Sequence, residues 1–121
     1  MIFLFSLGDV ELLSIRTDSI NVTWTIPRFV QSEEYIVEYG IDSDNLNLTS
    51  STVDSSSDTS LVNQTYSVLL EGLEVETIYY IRVLAQFGIS GLYKRYSDVA
   101  AFRTLEEGSN FFTKWILYYL L

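Results

Sequence analysis

A chain of 121 residues with a net charge of −9, no cysteine and no histidine is long enough for one domain around a single modest core. Disulfides, thiolate nucleophiles, serine–histidine triads and nearly every zinc site require residues that it lacks. The acidic balance argues against nucleic acid and against an anionic lipid surface as partners, whereas 48% apolar and 15% aromatic residues favour a packed core over disorder.

The opening "MIFLFSLG", residues 1–8, is apolar but has no basic start and no small-residue cleavage site, so it reads as a short extended lead-in rather than a signal peptide. From about Asp9 onward the dominant period is two. Residues 10–15 read as a first strand. In "SINVTWTI" the residues Ile20, Val22, Trp24 and Ile26 share one face, with Asn21, Thr23 and Thr25 on the other. "YIVEY" places Tyr35, Val37 and Tyr39 on one side of a third strand. "SSTVDSSSDTSLVNQT", residues 50–65, is polar and serine-rich and reads as a long mobile connection. "YSVLLEGL" then gives Tyr66, Val68 and Leu70, with Leu73 beyond a glycine turn. "YYIRVLA" directs Tyr79, Ile81, Val83 and Ala85 inward and Tyr80, Arg82 and Leu84 outward, and residues 99–104 read as the last strand. Such alternation in β-branched and aromatic residues marks half-buried strands. Turn signals separate them at Pro27, Gly40, Gly72, Gly88 and Gly91.

The closing "FFTKWILYYLL" contains a seven-residue apolar run, residues 115–121, against about 20 residues for a membrane span. No complete transmembrane span is therefore expected in this chain, and residues 106–121 read as a linker and apolar tail. No helical period and no internal repeat are visible. The expected fold is all-β: a seven-stranded antiparallel β-sandwich, immunoglobulin-like, over residues 9–105.

Several ordered landmarks in that span resemble a fibronectin type III domain. "INVTW" places Trp24 where the family has a core tryptophan on its second strand, and "YIVEYG" is similar to its third. "GLEVETIY" resembles the pattern Gly-Leu-x-Pro-x-Thr-x-Tyr through Leu73, Thr77 and Tyr79, and Val83 and Ala85 continue it; "VAAFRT" resembles the last strand. Val75 stands where proline is usual and Phe87 where asparagine is common. The resemblance implies that Trp24, Tyr35, Val37, Leu73, Tyr79, Ile81 and Val83 are structural. It also implies that Tyr79 forms a tyrosine corner, its hydroxyl bonded to the backbone near Val75, while Tyr80 faces outward beside Arg82. A true immunoglobulin domain would normally carry an inter-sheet disulfide, which this sequence excludes.

Of the residues that bear chemistry, three asparagines begin Asn-x-Thr triplets without proline: Asn21, Asn47 and Asn63. These are N-glycosylation acceptors if the domain is secreted. "DSDN" at 42–45 resembles the start of a calcium loop but lacks the glycine and distal glutamate that would complete it, so a turn with Asx hydrogen bonds is expected. The acidic pairs at Glu33–Glu34 and Glu74/Glu76 sit on solvated turns, which do not split carboxyl pKa values as acid–base catalysis needs. The loop "QFGISGLYKRYSD" sets Phe87, Ile89, Leu92 and Tyr93 beside Lys94 and Arg95, the mixture of interface anchors, or alternatively a hairpin folded onto the sandwich edge. It holds no Arg-Gly-Asp tripeptide.

By resemblance, the expected role is a non-catalytic extracellular protein–protein interaction or spacer module of an adhesion or cell-surface receptor protein. It needs no cofactor, no metal and no small-molecule substrate. Two alternatives stay open: an intracellular cytoskeletal or scaffold module, and an accessory module of a larger enzyme such as a receptor phosphatase, a receptor kinase or a secreted hydrolase.

Overall fold

Alternating apolar residues give each strand one inward face, and two sheets close those faces on each other. The computed structural model describes residues 9–26, 34–50, 53–54, 64–87 and 93–107. Nine strands occur among them: β1 (Glu11–Ile15), β2 (Ile20–Ile26), β3 (Glu34–Gly40), β4 (Leu48–Thr49), β5 (Val53–Asp54), β6 (Gln64–Leu70), β7 (Ile78–Phe87), β8 (Tyr93–Tyr96) and β9 (Ala100–Arg103). The smaller sheet runs β1-β2-β6. The larger runs β4-β3-β7-β8, with β5 also on β3 and β9 also on β7. All pairings are antiparallel. Since β4 and β5 share one edge and β8 and β9 the other, the layout is that of the expected seven-stranded sandwich.

Both edges of the larger sheet are split by the same device at the same level. Val37 and Val83 are cross-strand partners in the two central strands. On one edge Ser50 donates its N–H to the Val37 carbonyl at 2.9 Å, and its hydroxyl accepts the Val37 N–H at 3.1 Å. On the other, Ser97 donates its N–H to the Val83 carbonyl at 2.9 Å, and its hydroxyl accepts the Val83 N–H at 2.8 Å. Each serine oxygen replaces a strand carbonyl, so the ladder bends without leaving buried backbone groups unpaired. Short, broken edge strands also resist pairing with a second chain.

The structure corrects one expectation. The serine-rich segment 50–65 is not simply a mobile connection: Ser50 is tied to β3, Val53–Asp54 pairs with Tyr35 and Glu34, and Gln64 and Thr65 belong to β6. The outer edge of β3 carries backbone donors and acceptors that need partners, and this segment supplies them. Residues 55–63 lie outside the described residues.

The core forms between the sheets. Trp24, Tyr35, Val37, Leu73, Tyr79, Ile81 and Val83 are all buried, together with Ile20, Val22 and Leu70. At one end Trp24 stacks on Tyr66 with ring centroids 6.0 Å apart, and Tyr35 of the larger sheet meets Trp24 edge-on at 5.8 Å. At the other end Tyr39 and Tyr79 approach to 6.4 Å.

Tyr79 makes the expected corner beside Val75: its hydroxyl accepts the Glu74 N–H at 2.9 Å. The loop it holds turns through Gly72 (φ 70°) and Glu76 (φ 49°), the latter in a left-handed conformation that a glutamate rarely adopts. Tyr79→Phe will lower stability by about 0.5–1.5 kcal/mol, the contribution of one such hydrogen bond. Urea denaturation followed by circular dichroism measures this, and an unchanged midpoint would remove the corner from the list of stabilising contacts.

Candidate functional site

The outward positions of the larger sheet form a row that only the strand register brings together. On β3 these are Ile36 and Glu38, on β7 they are Tyr80, Arg82, Leu84 and Gln86, and on β8 they include Tyr96. Glu38 lies opposite Arg82, Ile36 opposite Leu84, and Leu84 opposite Tyr96. The Arg82 Nε–H donates to Glu38 Oε1 at 2.8 Å. The same guanidinium lies 4.4 Å from the centre of the Tyr96 ring, within cation–π range.

Arg82 is thus held from two sides, by a carboxylate on β3 and an aromatic face on β8. A partly exposed ion pair contributes about 0–1 kcal/mol to stability, so its main effect here is to fix geometry. Leu84 sits on this outward side, as its phase implies, yet only 4% of it reaches solvent. Its register neighbours Ile36 and Tyr96 frame it as the floor of a small apolar patch. Tyr96 itself is 47% exposed. Tyr80 stays partly accessible on the same face, as expected.

The expected site residues fall in several places. Asn21 lies on the outer side of β2, and Asn47 is exposed just before β4. Asn63, Ile89 and Leu92 lie outside the described residues. Phe87 ends β7 and pairs through its backbone with Tyr93, the first residue of β8, while Lys94 and Arg95 are exposed on β8 opposite Gln86 and Ala85. The described part of this segment is therefore a β-hairpin. The "DSDN" stretch forms the expected turn: the Asp44 N–H donates to Asp42 Oδ1 at 3.0 Å, and the Asn45 N–H to the Asp42 carbonyl at 3.0 Å. Among the described residues no group of three acidic, histidine or cysteine side chains converges as for a metal, and no helix is long and apolar enough to cross a membrane.

Sequence reasoning missed the Glu38–Arg82–Tyr96 arrangement. Alternation showed that Arg82 faces outward, but the pairing across 44 residues depends on register, which periodicity does not set.

A family model described as the purple acid phosphatase N-terminal domain matches residues 9–104. The chain belongs to that family. The match covers nearly all of the described sandwich, from the residue before Val10 to Thr104. Within the family's domain, then, lie both central strands of the larger sheet and the Arg82–Tyr96 face. Among solved structures, the sensor domain of the anti-sigma factor RsgI4 from Pseudobacteroides cellulosolvens is similar at 20% identity and a TM-score of 0.62, over 85% of this chain and 77% of that one. The FN1–FN3 domains of chicken CNTN1 match at 22% identity and a TM-score of 0.59, over 84% of this chain and 31% of that one. The FN5 domain of Drosophila Lar matches at 20% and 0.54, over 83% and 95%. The fibronectin type III likeness thus holds at the level of the fold, while the family is the phosphatase N-terminal one. No curated protein matches the chain in sequence.

Proposed function

We propose that this domain is a non-catalytic recognition module that works outside the cell and meets a protein partner with the outer face of β3, β7 and β8. The observation that carries the reading is the clamped pair of Arg82 and Tyr96, fixed from the far side by Glu38. Tyrosine and arginine supply a large share of interface energy. Here both are held before a partner arrives, which lowers the ordering cost of association. Arg82 and Lys94 share this outward phase with Glu34 and Glu38, so the face is charge-balanced and suits a partner surface of mixed charge. The Asn-x-Thr triplets at Asn21, Asn47 and Asn63 support passage through a secretory route, with residues 9–105 as the folded module.

The family match favours a more specific form of this reading. In it the partner is the catalytic domain of a purple acid phosphatase, and the sandwich is its accessory module.

A photo-crosslinking phenylalanine analogue at position 96 tests both. The secreted protein carrying it will give a covalent adduct with a partner protein on illumination at the cell surface. The same analogue at Ser67, exposed on the smaller sheet, will give none. Equal adducts from both positions, or an adduct from position 67 alone, would reject the face. Peptides of a metallophosphatase in the position-96 adduct would identify the accessory form.

A further inference from the structure

The smaller sheet carries a second feature, which the recognition face does not use. Asn21 stands on the outer side of β2, between Ser14 of β1 and Leu69 of β6 in register. It lines a groove of about 590 Å³ that also includes Ser14, Arg16, Asp18, Leu69 and Glu71, within the size range of ligand clefts, about 300–1,000 Å³. The Asn21 Oδ1 is buried there and accepts no hydrogen bond among the described residues, an unusual condition for a buried polar atom. The amide nitrogen is not so enclosed. Next to it Leu69 is 50% exposed, a large apolar side chain on an otherwise polar face made of Thr23, Thr25, Thr65 and Ser67.

We propose that Asn21 carries an N-linked glycan whose first sugars lie in this groove with their apolar face on Leu69. The inference rests on the secretory reading above. The occupant follows from the residues themselves, because Asn21 is both the acceptor of the Asn-x-Thr triplet and part of the groove wall. An N-acetylglucosamine ring offers a C–H face suited to Leu69. Its hydroxyl and acetamido groups suit Arg16, Asp18 and Glu71, which line the same groove. Attachment forms a bond from the sugar C1 to the Asn21 Nδ2 and breaks the C1–O bond of a lipid diphosphate-linked oligosaccharide. The lipid diphosphate leaves and the amide nitrogen gives up one proton. Thr23, the third residue of the triplet, is compatible with the finished fold, since its hydroxyl donates to the Tyr66 carbonyl at 2.8 Å and stays clear of the groove lining. A glycan so seated covers the outer face of the smaller sheet and leaves the Arg82–Tyr96 face open.

The test secretes the wild-type protein and an Asn47→Gln/Asn63→Gln variant in which Asn21 alone can be modified. Glycopeptide mass spectrometry reads occupancy, and melting is followed before and after N-glycosidase treatment. Asn21 is expected to be occupied in both proteins, and removing its glycan from the variant should lower Tm by about 4–8 °C, the shift that a loss of about 1 kcal/mol produces in a domain of this size. With Leu69→Ser added, the same treatment should move Tm by less than half as much. The enzyme converts Asn21 to aspartate beside Asp18 and Glu71, but that added charge is common to both arms, so the comparison isolates the contact with Leu69. Sugar at Asn47 or Asn63 with Asn21 bare would overturn the inference and leave the secretory reading standing. No sugar at any of the three would overturn both. An occupied Asn21 whose glycan can be removed with no loss in Tm, or with equal loss after Leu69→Ser, would overturn the packing.

Discussion

Trp24→Ala will cost the domain about 3–5 kcal/mol, the usual range for deleting a buried indole. Small domains have about 5–15 kcal/mol of stability in all, so the variant should be unfolded or nearly so near physiological temperature. The large effect follows from position. Trp24 lies on the central strand of the smaller sheet and is 1% exposed. It joins its cross-strand partner Tyr66 to Tyr35 of the larger sheet, and Tyr35 and Tyr66 themselves approach to 4.7 Å. Removing the indole opens a void bounded by both sheets and takes one aromatic contact from each of the two phenol rings, worth about 0.5–1.5 kcal/mol per pair. Trp24→Phe separates bulk from polarity. The indole Nε1–H is buried without a partner among the described residues, and an orphaned donor costs about 1–3 kcal/mol. Phenylalanine loses volume but removes that donor, so it should cost less than half as much as alanine. Equilibrium urea unfolding monitored by circular dichroism decides it, with the m-value as a check that the transition stays two-state. Equal losses for Phe and Ala would mean that the indole N–H is satisfied in the folded protein.

Trp24 also shows what the sequence discloses and what it withholds. Its phase was legible, because "INVTW" alternates without interruption and a buried sandwich strand has no other simple reading. The same holds for Tyr35, Val37, Ile81 and Val83, each at an inward position of an unbroken run. Leu84 marks the limit of the same logic: alternation assigned its face correctly, and a face can still be covered. Its burial depends on Ile36 and Tyr96 arriving beside it, and those neighbours are set by register. The clamp of Arg82 by Glu38 and Tyr96 was hidden for that reason. The serine bulges were hidden for another. Ser50 and Ser97 look like ordinary polar loop residues, and only the paired positions of Val37 and Val83 show that each hydroxyl stands in for a strand carbonyl. The position of the tyrosine corner was nearly legible because it is local, the bond spanning five residues. Family membership was not visible in the motifs at all, since Trp24, Tyr79 and their companions serve the fold and are shared by sandwiches of different roles.

Thr104→Val will destabilise the domain by about 1–3 kcal/mol although the two side chains are nearly the same size. Thr104 is 2% exposed, and its hydroxyl works in two directions. It donates to the Glu74 carbonyl at 2.7 Å and accepts the Thr77 N–H at 2.9 Å. Valine fills the space but leaves both backbone groups without their partner. Thr104→Ser keeps both bonds and loses one methyl, a change of about 0.8 kcal/mol, so serine should be tolerated better than valine. The reverse order, with valine neutral or stabilising, would show that solvent satisfies the loop and that the hydroxyl adds nothing. The double variant with Tyr79→Phe carries the argument further. Tyr79 holds the N–H of Glu74 and Thr104 holds its carbonyl, so the two side chains grip one residue, one from β7 and one from the segment just after β9. Once either bond is gone the loop around Glu74 is free to relax, and the second loss costs less than it would alone. The pair should therefore fall short of additivity by at least about 0.5 kcal/mol, the scale of coupling between residues that share a partner. Strict additivity would mean that the loop between Gly72 and Thr77 is held by its own turn geometry, with Tyr79 and Thr104 acting as independent contacts rather than as the two sides of one clasp.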